Sequence, residues 1–386
     1  MKLRDFFQHT EQISTPAFYF DTDVFHNRVE FVKMELPKIP LTFSIKANPF
    51  LLNCLPDEIR HVEVCSPGEL KICKAYNIPG SRIIYSGVNK EVEDVTEAIE
   101  YGGDIATAES MLHVELEQKA AQKADTKQRV ILRLTSGNQF GMSEEDVLSI
   151  LADHTKYPNL DIYGIHYYSG TQKKKRQIDK DFEKLDAALS RLRERTGFVP
   201  RLVEVGPGFP VNYFNPPYDE SEKAALIENK DTILAFAEKY PLGIEIGRYF
   251  AASCGTYATK VMDVKNNGNI NYVICDGGIH HLKYYGQTLA MQVPEMEILN
   301  TSAEAKPYCI CGSLCTVADV LVREVELPVV SRNDVVLFHR CGAYSVTEGS
   351  ALFLSRKIPE VYLYNETDGL EKMRSFVDTA VINKKE

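Results

Sequence analysis

Between Leu41 and Arg248 the chain is punctuated by short runs of β-branched and apolar residues, each nearly continuous in hydrophobic character. They read TFSIKA from Thr42, VEVC from Val62, IIYS from Ile83, DIATA from Asp104, VILRL from Val130, IYGIHYY from Ile162, LVEV from Leu202 and GIEIGR from Gly243. Runs of this length without polar alternation are expected of strands covered on both faces. Helical patterns lie between them. From about Lys173 to Arg195 the apolar residues Ile178, Phe182, Leu185, Leu189 and Leu192 step by four and three, which puts them on one helix face with Lys, Arg, Glu and Asp opposite. Ser143, followed by Glu144, Glu145 and Asp146, reads as the N-cap of another helix, with acids favoured by the helix dipole. Eight strand–helix units within about 225 residues predict a parallel (β/α)8 barrel, with a doubly wound open sheet as the competing fold.

After Arg248 the texture changes. TYATKVMDV, NINYVICD, AKPYCICG, DVLVREVELPVV, DVVLFH and EVYLY are strand-like, and the next long helical pattern is at about Glu366–Val377. A second, mostly β domain is expected: residues 26–250 form the barrel, and residues 1–25 join 251–386. The final INKKE reads as a frayed tail.

Composition narrows the function. The 386 residues are 44% hydrophobic and 25% charged, and the net charge of −10 argues against nucleic acid or an anionic membrane as partner. No apolar run reaches about 18 residues, so no spanning helix is expected. Nine cysteines, an odd number, in a large chain whose start lacks a signal peptide's apolar core point to reduced thiols in a cytoplasm. The spacing of Cys309, Cys311 and Cys315 fits no usual zinc pattern, and no metal is expected.

Chemistry in such a barrel collects at the C-terminal ends of the strands. Lys46 lies at the end of the first run. A lysine buried there is costly unless neutral or paired, and desolvation would leave a nucleophilic amine able to attack an aldehyde. A lysine reaching out to water is the alternative. Gly206-Pro207-Gly208 after the seventh run is either a plain turn or a place where backbone N–H groups approach a phosphate, to which Arg248 could add a charge-assisted contact. Glu245, in the same apolar run as Arg248, needs a partner: a protonated ring nitrogen, Arg248, or another barrel residue.

Ten motifs, in order, resemble those of the fold-type III pyridoxal-phosphate decarboxylases, the group of the diaminopimelate and ornithine/arginine decarboxylases. They are SIKANP at Ser44, VEVCSPGEL at Val62, IIYSGVNK at Ile83, QFGM at Gln139, GIHYYSGTQ at Gly164, EVGPGF at Glu204, EIGRYF at Glu245, CDGGIHH at Cys275, GSLCTVAD at Gly312 and GAYSVTEG at Gly342. The resemblance runs from about Thr15 to Tyr364. It implies an alanine racemase-like barrel with a decarboxylase-type β domain, and pyridoxal 5'-phosphate as cofactor. By position, Lys46 resembles the lysine that joins the cofactor covalently, and Glu245 the glutamate beside the pyridine nitrogen. Thr171, Gly206, Gly208, Gly247, Arg248 and Tyr344 resemble phosphate contacts. Cys315 resembles the cysteine that a second subunit contributes as proton donor, which implies a head-to-tail homodimer with shared sites and a β domain that contributes Cys315 and Tyr344. A carboxylate at the ring nitrogen keeps it protonated and favours decarboxylation over racemisation.

Three departures stand out. Where relatives stack a histidine on the cofactor, this chain has Tyr168, so either Tyr168 or His166 takes that place. Pro207 replaces a glycine and removes one N–H donor. After Cys315, relatives acting on ornithine or diaminopimelate carry an acid that pairs with the distal amine, and here it is Thr316. With Cys315, Thr316 and Asp319 as substrate contacts, CDGGIHH and LCTVAD look closer to the branch acting on carrier-protein-linked or siderophore-type substrates. The expected substrate is a conjugated amino acid. The alternatives are a decarboxylase of free diaminopimelate, lysine or ornithine, then a racemase, then a non-catalytic regulatory homologue.

Overall fold

The computed structural model describes residues 1–10, 13–300 and 302–385. Two compact units emerge: Arg28–Val211 with Glu220–Phe250, and Met1–Asn27 with Asn212–Asp219 and Ala251–Glu386.

The first unit is the closed eight-stranded parallel barrel. Its strands are β1 (Leu41–Ser44), β2 (Ile59–Val64), β3 (Ile83–Tyr85), β4 (Ile105–Ala108), β5 (Gln128–Leu134), β6 (Leu160–Tyr168), β7 (Leu202–Gly206) and β8 (Leu242–Ile246). Each apolar run of the sequence supplies one strand. Both faces of these strands are covered, so β1 and β4 are buried throughout. β8 pairs with β1, which sets aside the open sheet and brings Thr42 opposite Glu245. Other pairings carry polar residues side by side: Ser44 with Glu63, Arg133 with His166, and His166 with Glu204.

Helix Lys175–Thr196 buries Ile178, Phe182, Leu185, Leu189 and Leu192, the face its spacing predicts, and Gly197 closes it in the left-handed region. Ser143 caps helix Glu144–Ala152 by accepting from the Asp146 N–H at 3.1 Å. Two residues lie elsewhere than their runs suggest. Lys46 is past the end of β1, in the short 3-10 turn Ile45–Ala47, and Arg248 opens the helical turn Arg248–Ala251 instead of closing β8.

The second unit is a nine-stranded sheet. Along its main path the strands are Val320–Pro328, Ala305–Cys311, Ile270–Cys275, Gly255–Asn267, Ala17–Asp21, Glu360–Asn365 and Gly369–Arg374. Val335–His339 pairs with both Gly255–Asn267 and Met296–Leu299. Helix Leu3–His9 covers one core, in which Leu3 and Phe7 pack on Tyr19, Leu337, Tyr362 and Tyr364.

The helix expected at Glu366–Val377 is instead a turn and the strand Gly369–Arg374, antiparallel to Glu360–Asn365. The Asn365 side-chain oxygen accepts from the N–H groups of Thr367 and Asp368, and Gly369 takes φ +78°. This local turn chemistry outweighs a fortuitous helical spacing. The tail also differs from expectation. Ala380–Asn383 is a helical turn whose Asn383 side chain donates to the Leu352 carbonyl and the Ser355 hydroxyl. Among the described residues no helix is long and apolar enough to cross a membrane.

Candidate active site

Lys46 sits where β1 gives way to the 3-10 turn, so its side chain leaves the C-terminal mouth of the barrel. Its Nζ lies 2.8 Å from Glu63 Oε2 and 3.6 Å from Cys65 Sγ. The Lys46 side chain is 40% exposed and that of Glu63 only 6%. The Lys46 side chain is therefore only partly buried, and its amine is held by a buried carboxylate. Burial alone would push Glu63 up, but the Lys46 charge and hydrogen bonds from Lys46 and Ser44 hold it below the usual carboxylate range. The Ser44 hydroxyl lies between Glu63 and Glu245, 3.1 Å from Glu245 Oε1, and can donate to either.

Glu245 pairs with His166, Nε2 to Oε2 at 3.3 Å, with side chains 10% and 5% exposed respectively. His166 is thus one partner for Glu245, and it is a barrel residue. His166 Nδ1 is buried without a hydrogen-bond partner among the described residues. Next to His166 on β7, Glu204 is fully enclosed. Burial pushes its carboxyl up to about 8, against a hydrogen bond from Thr42 and with the charges of Glu245 and Glu63 adding, which favours its protonated form. Glu63 and Glu204 are thus shifted in opposite directions, the one by the Lys46 cation and the other by burial.

At the adjoining turn the glycines are required. A Cβ on Gly206 would stand 2.5 Å from Tyr168 Cδ2, so the Tyr168 ring lies directly against that backbone. Gly208 has φ +67°, and a Cβ there would fall 2.1 Å from the Gly170 carbonyl oxygen. Thr171 is half-buried in the loop facing this turn, and Gly247 packs against Ser44 and Ala47. The mouth therefore presents an amine, a carboxylate anchored by histidine, and a glycine turn with no room for side chains. An aldehyde, a ring nitrogen and a phosphate need these three in turn, so the residues present fit pyridoxal phosphate.

Glu63, Ser44 and the Lys173–Asp181 pair escaped the sequence reading. Glu63 carried the same signal that singled out Glu245, a carboxylate inside an apolar strand, within VEVCSPGEL.

In the β unit, Cys315 and Thr316 are exposed in the loop after Ala305–Cys311. Asp319 is different. It is 3% exposed, and its carboxylate accepts from the N–H groups of Ile279 at 2.8 Å and Leu314 at 2.7 Å, with Gly278 and Gly312 pressed against it. Both oxygens thereby help to shape the loop that carries Cys315. Tyr344 is half-buried with φ +69°, at the start of helix Ser345–Glu348.

A family model described as "Pyridoxal-dependent decarboxylase, pyridoxal binding domain" matches residues 23–252. The diaminopimelate decarboxylase of Bacteroides thetaiotaomicron is 24% identical over 92% of this chain and 96% of its own. The L-glutamyl-(BtrI acyl-carrier protein) decarboxylase of Niallia circulans is 27% identical over 96% of this chain and 94% of its own. The crystal structure of diaminopimelate decarboxylase from Helicobacter pylori complexed with L-lysine shares the fold, with a TM-score of 0.85 and 21% identity over 99% of this chain and 98% of that one.

Proposed function

As a member of the pyridoxal-dependent decarboxylases, the family to which this chain belongs, the protein takes pyridoxal 5'-phosphate and removes carbon dioxide from an amino-acid-type substrate, and we propose that this substrate lacks a free distal ammonium. When bound, the cofactor supplies an electron sink for the negative charge left at Cα. The chain's own groups do the rest. Lys46 provides the amine that joins the cofactor, with Glu63 holding its Nζ in place. Glu245, fixed by His166, faces the ring nitrogen. His166 is committed to that pairing, so Tyr168 is the ring that flanks the cofactor. Thr171, Gly206, Gly208, Gly247 and Arg248 take the phosphate. Cys315 Sγ of a second copy delivers a proton to Cα, in a homodimer with shared sites.

The single observation behind the substrate assignment is Thr316, exposed beside Cys315. A hydroxyl cannot offer an ammonium the ion pair that a carboxylate would, a difference of roughly a few kcal/mol when desolvated. The Niallia circulans relative, whose name specifies a carrier-linked glutamyl group, supports a conjugated amino acid, free or on a carrier protein. The Bacteroides relative favours the second reading, free diaminopimelate. Carbon dioxide release from a panel of free and conjugated amino acids separates them. Robust turnover of free diaminopimelate or ornithine, with none of the conjugated acids, sinks the first reading. None of the nine cysteines is disulfide-bonded among the described residues, which supports a reducing, cytoplasmic setting.

A further inference from the structure

Behind the glycine turn lies an ion pair that the chemistry at Lys46 does not use. Lys173 Nζ stands 2.8 Å from Asp181 Oδ2, with side chains only 6% and 11% exposed. Ser169 Oγ lies 2.9 Å from the ammonium and 2.5 Å from the same carboxylate oxygen, so its hydroxyl accepts from one and donates to the other. The Tyr167 hydroxyl donates to Asp181 Oδ1 at 3.3 Å. The end of β6, the loop that follows it and helix Lys175–Thr196 therefore converge on one buried charge pair.

The other side of the loop is the glycine turn. The Lys173 N–H donates to the Gly208 carbonyl at 2.9 Å. A Cβ on Gly208 would come within 2.7 Å of Lys173 Cε. The Gln172 side chain clasps Val211 from both ends, donating to its carbonyl at 2.9 Å and accepting from its N–H at 2.5 Å. Burying two charges is costly, and a pair so placed is weak evidence for stability; its established use elsewhere is to fix one arrangement over others. Here the arrangement fixed is that of the Gly170–Lys173 loop against Gly206-Pro207-Gly208. Pro207 offers no N–H, so the remaining donors of the turn must already be aimed when an anion arrives.

We propose that Lys173, Asp181 and Ser169 are positioning residues that preset the Gly206–Gly208 turn for the cofactor phosphate. The proposal rests on the phosphate placement given under Proposed function. The test titrates the apo form of the full-length protein with pyridoxal phosphate and with pyridoxal, which lacks the phosphate but can still join Lys46. In the double variant Lys173→Met/Asp181→Asn no buried charge is left unpaired, so the fold survives. The expected result is a pyridoxal phosphate dissociation constant raised about tenfold or more, with that of pyridoxal within about twofold of wild type. Ser169→Ala, which keeps both charges, is expected to show the same selective loss at about threefold. Equal weakening of both ligands, or no weakening of either, overturns the positioning role. Gly208→Val separates the two claims. If it leaves the preference for pyridoxal phosphate over pyridoxal intact, the phosphate placement fails and the positioning role with it. If it erases that preference while the Lys173 and Ser169 variants keep it, only the positioning role fails.

Discussion

Lys46 and Glu204 show how differently one barrel interior treats two ionisable groups. Lys46 is held by Glu63 with its side chain partly exposed, and it is the attachment point for the cofactor in the proposed chemistry. In Lys46→Ala the absorbance of bound pyridoxal phosphate should vanish and activity fall by at least about a thousandfold. Borohydride reduction of the wild type followed by peptide mapping should find the label on Lys46, and a label elsewhere would remove the centre of the proposal. Glu204 has no ion-pair partner among the described residues and is raised by burial to about 8. Its folded-state value lies above its unfolded one, so the stability associated with its proton is present in acid. That stability is lost as pH rises from the ordinary glutamate range through about 8. Glu204→Gln should flatten this decline, read from urea unfolding at pH 5 and pH 8. An unchanged slope would mean that Glu204 is already ionised at neutral pH.

Among the elements, the capped helices Pro67–Ala75 and Met111–Lys123 escaped the sequence reading, whereas the two helices that were legible showed an apolar stripe or a cap. Helix Glu144–Ala152 has both, and Ser143→Ala should cost about 1 kcal/mol by leaving the Asp146 N–H without its cap. Helix Tyr218–Lys239 is tied to Thr22–Glu35 by Arg28 and Glu222, whose side chains are 3% and 2% exposed at 2.7 Å. Arg28→Leu removes the cation beside the buried Glu222 carboxylate and should cost about 3 kcal/mol or more in urea unfolding, whereas a loss under about 1 kcal/mol would show that the charge is compensated without Arg28. The segment Glu366–Val377 failed as a helix for a reason also visible in its residues. Asn365, Asp368 and Gly369 spell a turn, and in a stretch that buries little, turn chemistry outweighs periodicity.

At the scale of the whole molecule, the proposed dimer makes the sharpest claim, because it assigns Lys46 and Cys315 of one active site to different copies. Lys46→Ala and Cys315→Ala should each be inactive alone. Mixed and allowed to exchange, they should recover up to about a quarter of wild-type activity, since half of the dimers would carry one intact site of two. No recovery, with exchange shown by an independent label, would place both residues in the same chain's site.

Sequence alone determined a parallel sheet of eight strands covered by helices, and the pairing of β8 with β1 decided that it closes into a barrel. Eight runs buried on both faces have few other ways to be covered, and the intervening helices supply the cover. It also determined that Lys46, Glu245 and the glycine turn lie at the same rim, because each follows or ends a parallel strand. Only the tertiary structure decided which groups meet. Ser44 stands beside Glu245 because the barrel closes between β8 and β1, and Glu245 faces His166 across its interior. Partnerships of that kind depend on three-dimensional closure between residues far apart in the chain, and no local pattern of hydrophobicity encodes them.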